Sequence, residues 1–469
     1  MNISAPGLTR QLAQRAVHVR FADLPPSAVD TVKRGLADFV GVLVAGAREP
    51  LVPILRGLLA LGSRAADGEA SVLAGGGCLR AADAALLNAA TGHALDFDDM
   101  ALDGHPSVVL GSVVLAEAQR VGASGAEAIA AYAAGYEVWA TLLRCQDSPL
   151  HAKGWHPTAV LGTVAAAAAA ARLRGLCPAR CATALAIAAS MASGVVANFG
   201  SMTKPLQVGL AARNGIWAAA FAEAGLSAAP DALEHPAGLL AALSPQGWPR
   251  LDVAGDEGGA LAIVQGGLNF KLYPVCYAVH RIIDASLQIA GEPGWTLERV
   301  ERLEVALGRA QLSMLRDEVP IDALQARFSP RFAVACAFLH RRVGLAELTD
   351  ATVRAEQMQQ WMRRVHVRPI DERDASDPLF SPFDEVTARD DGGRALASRR
   401  VEVARGHMRN PVGWEVLFDK FRSCMPATAA PCQVLDVFEQ LRRLDELPGV
   451  DGLSAACAGL LETAAASGR

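Results

Sequence analysis

Lysine is the scarce residue of this chain: of 44 basic side chains only five are lysine, at Lys33, Lys153, Lys204, Lys271 and Lys420. Arginine serves wherever generic positive charge is enough, so each remaining lysine marks a place where a flexible ammonium of tunable proton affinity does what a planar fork does not. An excess of positive charge is missing as well. With a formal net charge of −5 and a pI near 6.1, the chain has no field that would concentrate nucleic acid or an anionic membrane. The nine cysteines contain no CxxC pair and no Cys/His quartet at zinc spacing, and they read as small buried hydrophobes of a reducing cytoplasm. No charged segment followed by an apolar one opens the sequence, and the most apolar run, Thr158 to Ala171, is mostly alanine and too short to span a bilayer. Neither export nor membrane insertion is expected. Also missing are a GxGxxG after a strand, a GxxxxGK[ST] and a GxSxG. Nicotinamide, ATP, flavin and a serine-hydrolase elbow are thereby disfavoured, no cofactor is expected, and Gly75-Gly76-Gly77 reads as a flexible loop.

What is present is helix after helix. At 469 residues the chain exceeds one compact core, so two domains are expected. Apolar residues at i, i+3 and i+4 between Gly/Pro breaks predict helices from Ser27 through Val44 and near 82–95, 107–121, 125–144, 158–173, 178–194, 205–224 and 229–243. The pattern then changes. Val300 to Leu307 and Val365 to Arg368 read as strands, and Glu385 to Ala404 reads as a hairpin turning at Asp391-Gly392-Gly393. After Asn410-Pro411 the helical period returns in Trp414–Cys424 and Cys432–Leu444. The expected fold is mainly α: an all-helical domain built from both chain ends, 1–266 and 409–469, interrupted by a smaller α+β lid domain at 267–408.

An internal repeat singles out two histidines. The nonapeptide from His105-Pro106-Ser107 to Val113 matches that from His156-Pro157-Thr158 to Val164 at every position but one, with Ser and Thr taken as equivalent. Proline is favoured at the first helical position, so each histidine is expected at the mouth of a helix whose unpaired N–H groups attract anions and disfavour an imidazolium. Thr203-Lys204-Pro205 and Lys271-Leu272-Tyr273-Pro274 repeat the arrangement with lysine. Four such starts, if they converge, make a pocket of two imidazoles and two ammonium groups suited to a polycarboxylate. Such groups suit removal of a proton from carbon next to a carboxylate, with positive charge where the enolate-like oxygen develops.

Leu95-Asp96-Phe97-Asp98-Asp99-Met100 adds three carboxylates in four residues. A hard cation normally needs further oxygen ligands in a recognisable loop, and none is found, so no metal is expected. Asp96 is expected to orient a histidine or to pair with a lysine.

These stretches resemble the MmgE/PrpD family: Asp96-Phe97-Asp98-Asp99, Gly104-His105-Pro106, His156-Pro157, Thr203-Lys204-Pro205-Leu206 with Gly209, and Lys271-x-Tyr273-Pro274-x-Cys276. The resemblance runs from Leu24-Pro25 to Asn410-Pro411-Val412-Gly413-Trp414. It implies a homodimer, a metal-free site between a helical domain and a lid, and Asp96, His105, His156, Lys204 and Lys271 as catalytic residues. Met100, Gln207, Tyr277 and Phe332 are expected against the substrate. The implied activity is dehydration or decarboxylation of a small di- or tricarboxylate; the alternatives are epimerisation of an amino- or imino-dicarboxylate and an inactive scaffold. Met100 and Phe332, in Arg327-Phe328-Ser329-Pro330-Arg331-Phe332, stand where the cis-aconitate decarboxylases of the family carry hydroxyl side chains. A poor cis-aconitate decarboxylase is therefore expected.

Overall fold

A computed structural model describes residues 7–61, 68–73, 75–146, 149–244, 247, 249–251, 260–375, 377 and 379–466. The chain divides into two compact units, Met1–Leu268 with Trp414–Arg469, and Asn269–Gly413. In the first unit, α1 (Leu8–His18), α2 (Pro26–Gly46) and α3 (Leu51–Leu61) lead into a short antiparallel pair, β1 (Ala70–Ser71) with β2 (Cys78–Leu79). There follow α4 (Ala81–Gly92), α5 (Pro106–Val121), α6 (Gly125–Arg144), α7 (Pro157–Leu173), α8 (Pro178–Met191), α9 (Thr203–Glu223), α10 (Leu239–Leu243) and α11 (Ala262–Gly266).

The packing of these helices follows from their small residues. Every residue from Ala165 to Ala171 of α7 is completely buried, and short side chains let its neighbours approach closely. A Cβ on Gly215 of α9 would lie 2.3 Å from the Ala166 Cβ, and one on Gly135 of α6 would lie 2.9 Å from the Ala165 carbonyl oxygen. Helix starts are set locally. Pro106 and Pro157 occupy the first positions of α5 and α7, and Ser124 and Glu127 form a reciprocal capping box on α6, an arrangement in which the N-cap alone contributes about 1 kcal/mol.

Two expected helices differ. Over 229–243 only α10 is helical, because Pro236 supplies no N–H and its ring obstructs the preceding turn. The helix expected to open at Lys271-Leu272-Tyr273-Pro274 begins later. The Cys276 N–H is taken by the Arg327 carbonyl at 2.8 Å, a single turn of 3₁₀ helix covers Tyr277–Val279, and α12 is His280–Ala290.

In the second unit α12 is followed by β3 (Arg302–Gly308), α13 (Arg309–Leu312), α14 (Ala323–Ala326), α15 (Pro330–His340), α16 (Asp350–Arg354), α17 (Glu356–Arg363), β4 (Val365–Ile370), β5 (Asp384–Arg389) and β6 (Ala395–Val401). The sheet order is β4-β3-β5-β6, with β3 and β4 parallel and the other pairs antiparallel. Leu303, Val305 and Val386 of the sheet form one apolar core with Ile282 and Ile283 of α12 and Phe332 and Phe338 of α15. The chain then returns to the first unit as α18 (Trp414–Ser423), α19 (Pro431–Arg442) and α20 (Asp451–Ala466). Among the described residues no helix is long and apolar enough to cross a membrane.

Candidate active site

The acidic run leaves the end of α4 in a tight loop. Asp96 has φ +52°, with Leu102 and Asp103 also at positive φ, a conformation that aspartate tolerates better than most residues. The loop closes through paired backbone hydrogen bonds between Ala101 and Gly104 and through the Trp139 indole N–H, which donates to the Leu102 carbonyl at 3.2 Å. Gly104 is required here for space: a Cβ would lie 2.8 Å from the Thr158 hydroxyl oxygen.

This loop gives each carboxylate a different task. Asp96 pairs with Lys204 Nζ at 3.0 Å and lies 3.7 Å from His105 Nε2, beyond hydrogen-bond distance, so of the two roles considered for it the structure shows the pairing with a lysine. Asp98 is fully buried. Its carboxylate lies 3.0 Å from His93 Nδ1 and 2.9 Å from His105 Nδ1. Despite burial, these two imidazoles hold Asp98 well below the usual carboxylate range. Asp99 faces inward to the Ser107 backbone N–H and hydroxyl, and that hydroxyl meets the Tyr132 hydroxyl at 2.7 Å. Burial, with the neighbouring Asp38 carboxylate, raises Asp99 well above its ordinary value.

His105 and His156 both sit at the N-caps of their helices without capping them. The Nδ1 of His105 lies 2.9 Å from the Asp99 carbonyl as well as facing Asp98. Both partners only accept, so Nδ1 carries the proton and Nε2 is the basic nitrogen. For His156 the partner is Gln207 Oε1, 2.8 Å from Nδ1, and the Gln207 amide is oriented by donating to the Val195 carbonyl at 3.1 Å. The same tautomer follows. Burial, assisted by the charge of Lys204 and by the neighbouring histidines, pushes His156 down to about 2. The ring of Phe199 packs edge-on to His156 at 4.9 Å and lies 5.1 Å from Lys204 Nζ.

Gln207, expected against the substrate, thus has its amide committed to holding His156. Met100 is half-buried beside Asp99. The remaining expected residues belong to the second unit. Lys271 is buried in the irregular stretch before α12. The Tyr277 ring lies tilted against that of His280 at 4.9 Å, and its buried hydroxyl has no hydrogen-bond partner among the described residues. Phe332 corrects the expectation placed on it. It is a core residue of α15 with no exposed surface, because its ring is taken up in the apolar cluster that also holds Leu303, Val305 and Val386 of the sheet.

Three participants were not singled out from the sequence. His93 lies only three residues before Asp96, and its ring is 4.5 Å from that of His105. Lys420 and Asp38 form a buried ion pair at 2.5 Å, and the Lys420 ammonium also donates to the Phe97 carbonyl at 2.8 Å. The scarcity of lysine was the available signal for Lys420. By contrast, Lys33 pairs with Asp445 and Lys153 binds the carbonyls of Ala242 and Ser244.

His93, Asp96, Asp98 and His105 bring ligand atoms within 4.8 Å of one another, a set that a divalent ion would accept. Lys204 supplies the cation at Asp96, and both Nδ1 atoms are engaged with Asp98.

Residues 10–251 match the MmgE/PrpD N-terminal domain and residues 273–442 the MmgE/PrpD C-terminal domain. The chain belongs to the MmgE/PrpD family. Relatives of this MmgE/PrpD protein include the cis-aconitate decarboxylases of Mus musculus and Homo sapiens, each 28% identical. The aligned part covers 72% of this chain in both cases, and 71% and 72% of those proteins respectively. The cis-aconitate decarboxylase of Aspergillus terreus is 26% identical over 95% of both chains.

Proposed function

We propose that this MmgE/PrpD protein is a lyase that dehydrates or decarboxylates a small di- or tricarboxylate by acid–base chemistry without a metal. The carrying observation is the unequal backing of two imidazoles. His105 is backed by the Asp98 carboxylate, which stabilises an imidazolium; His156 is backed by the neutral Gln207 amide, which does not. His105 is therefore assigned the proton that moves. In a dehydration its Nε2 takes the proton from the carbon next to a carboxylate, the C–H electron pair forms the new double bond, and hydroxide leaves with a proton. In a decarboxylation the bond to the departing CO₂ breaks, and its electron pair is captured by the proton of a protonated His105. His156 stays neutral and accepts a hydrogen bond from a substrate hydroxyl or carboxylic acid group. Lys204, fixed by Asp96, neutralises a substrate carboxylate and the charge that develops on it. The relatives named cis-aconitate decarboxylase support this class of reaction.

The test is a panel of cis-aconitate, 2-methylcitrate, citrate and iminodisuccinate, following CO₂ release, absorbance of the new double bond and chiral composition. Turnover of at least one tricarboxylate is expected. Epimerisation of iminodisuccinate without loss of CO₂ or water from any acid would overturn the lyase reading.

A further inference from the structure

Asp38 is a carboxylate in the middle of an apolar stretch of α2, Leu36-Ala37-Asp38-Phe39-Val40, and its side chain has no exposed surface. Its partner arrives from the far end of the chain. α18 is fastened to α2 at two places: the Trp414 indole N–H donates to the Asp30 carboxylate at 3.0 Å, and Gly41 leaves room for the Phe421 ring, which a Cβ there would meet at 3.1 Å. Lys420 is thereby laid against Asp38 at 2.5 Å, and both side chains are buried.

The ammonium does more than pair. It donates to the Phe97 carbonyl at 2.8 Å and lies 4.2 Å from the centre of the Phe97 ring. From Asp96 to Asp99 the backbone is neither helix nor strand, so a side chain supplies the hydrogen bond that a ladder would otherwise give this buried carbonyl. The peptide so held leads directly into Asp98. A buried ion pair gains little over a well-packed apolar pair of the same size, because desolvation offsets the attraction. Stability alone therefore does not account for Lys420 and Asp38, whereas a donor for the Phe97 carbonyl does.

We propose that Lys420 is a positioning residue of the candidate active site: held by Asp38, it fixes the Phe97–Asp98 peptide and so sets where Asp96 meets Lys204 and where Asp98 meets His105. It acts only through the loop. Its consequence for turnover rests on the proposed lyase chemistry, whereas its hold on the loop does not.

Lysine reactivity tests that hold without substrate. Under reductive methylation with formaldehyde and borohydride, followed by peptide mass spectrometry, the exposed Lys153 of the native protein is expected to react and Lys420 to stay unmodified. Lys420→Met strands the Asp38 charge in the interior and is expected to unfold at a lower temperature. Asp38→Leu/Lys420→Met removes both charges together and is expected to unfold close to the native temperature. In this double variant Lys204 is expected to be methylated faster than in the native protein, because the loop no longer holds Asp96 against it. Its kcat is expected to fall by about 10-fold or more, the scale at which supporting groups of a site act, with a smaller change in KM, since Lys204 itself stays on α9. A native Lys420 that reacts as fast as Lys153 overturns the proposal whether or not the variants fold. So does a folded double variant in which Lys204 reacts at its native rate, since the pair is then structural only. A faster Lys204 with native kcat upholds the hold on the loop and rejects the acidic run as part of the reacting site. If the native protein removes neither CO₂ nor water from any acid of the panel, the lyase reading fails, and the Lys204 rates alone decide the role of Lys420.

Discussion

Gln207 holds His156 by a 2.8 Å hydrogen bond from Nδ1 to Oε1, across 51 residues of sequence. Because the amide nitrogen is anchored on Val195, the interaction selects the tautomer as well as the position of the ring. Gln207→Leu removes the acceptor and is expected to lower kcat by about 10-fold or more, the scale found when an imidazole loses its orienting partner. Gln207→Glu restores an acceptor but adds charge, and is expected to alter the pH dependence of kcat. Steady-state kinetics across pH 5 to 9 check both; a native profile in each variant would reduce Gln207 to packing.

Alanine at His105 or His156 is expected to lower kcat by about 10²-fold or more, the usual scale for a general acid or base. Thermal unfolding is expected to remain cooperative, since proline still starts each helix. The losses should differ in kind. His105→Ala is expected to abolish solvent-proton exchange into recovered substrate, measured by deuterium incorporation, whereas His156→Ala is expected to retain part of it.

Lys204→Met leaves Asp96 without its partner and removes a cation from the site. A carboxylate ligand would lose a charge-assisted hydrogen bond of about 1.5–3 kcal/mol, and KM is expected to rise as kcat falls. Lys204→Arg is expected to rescue poorly, because a planar fork does not reproduce a point charge between Asp96 and the Phe199 ring. Lys271→Met is expected to act in the same direction on the strength of its motif. Full activity of Lys204→Arg would show that only a generic field is needed.

Acid stability follows from the buried imidazoles. His156 and His93 have folded-state values pushed below the ordinary 6.5, to about 2 and about 4, so between pH 6.5 and 4 the unfolded chain binds more protons and stability falls as pH falls. Asp99, raised by burial, contributes in the opposite sense as pH rises above its ordinary value. The contribution of one histidine is therefore read by difference. The urea-derived unfolding free energy of His156→Gln is expected to depend less on pH than that of the native protein between 6.5 and 4, by up to about 1.4 kcal/mol per pH unit. Identical slopes would mean that His156 is protonated in the folded state.

Met100 remains as the residue expected to set substrate choice after Phe332 is found in the core. Met100→Thr is expected to raise kcat/KM for cis-aconitate by about 5- to 150-fold, the range for pairing one otherwise unpaired ligand oxygen in a dry site. Activity unchanged toward every acid of the panel would place Met100 outside substrate contact.

The sequence by itself determined most of the helices of the first unit and the starts of α5, α6 and α7. Proline at the first position, an apolar period of 3.6 and a Ser/Glu capping box act within a few residues, and they put His105 and His156 at the mouths of two helices. It also singled out Lys204 and the acidic run, which the structure joins through the Lys204–Asp96 ion pair. Only the tertiary structure decided which partner each of these groups meets. Gln207 became the support of His156, Asp98 rather than Asp96 became the buried support of His105, and Lys420 came back across 323 residues to hold the Phe97 carbonyl. Phe332 passed from the expected substrate surface into a core. The physical reason is common to all four. Propensity and capping are local energies legible in a short window, whereas the proton position on an imidazole and the burial of a ring depend on groups brought within about 3–4 Å by packing between distant segments.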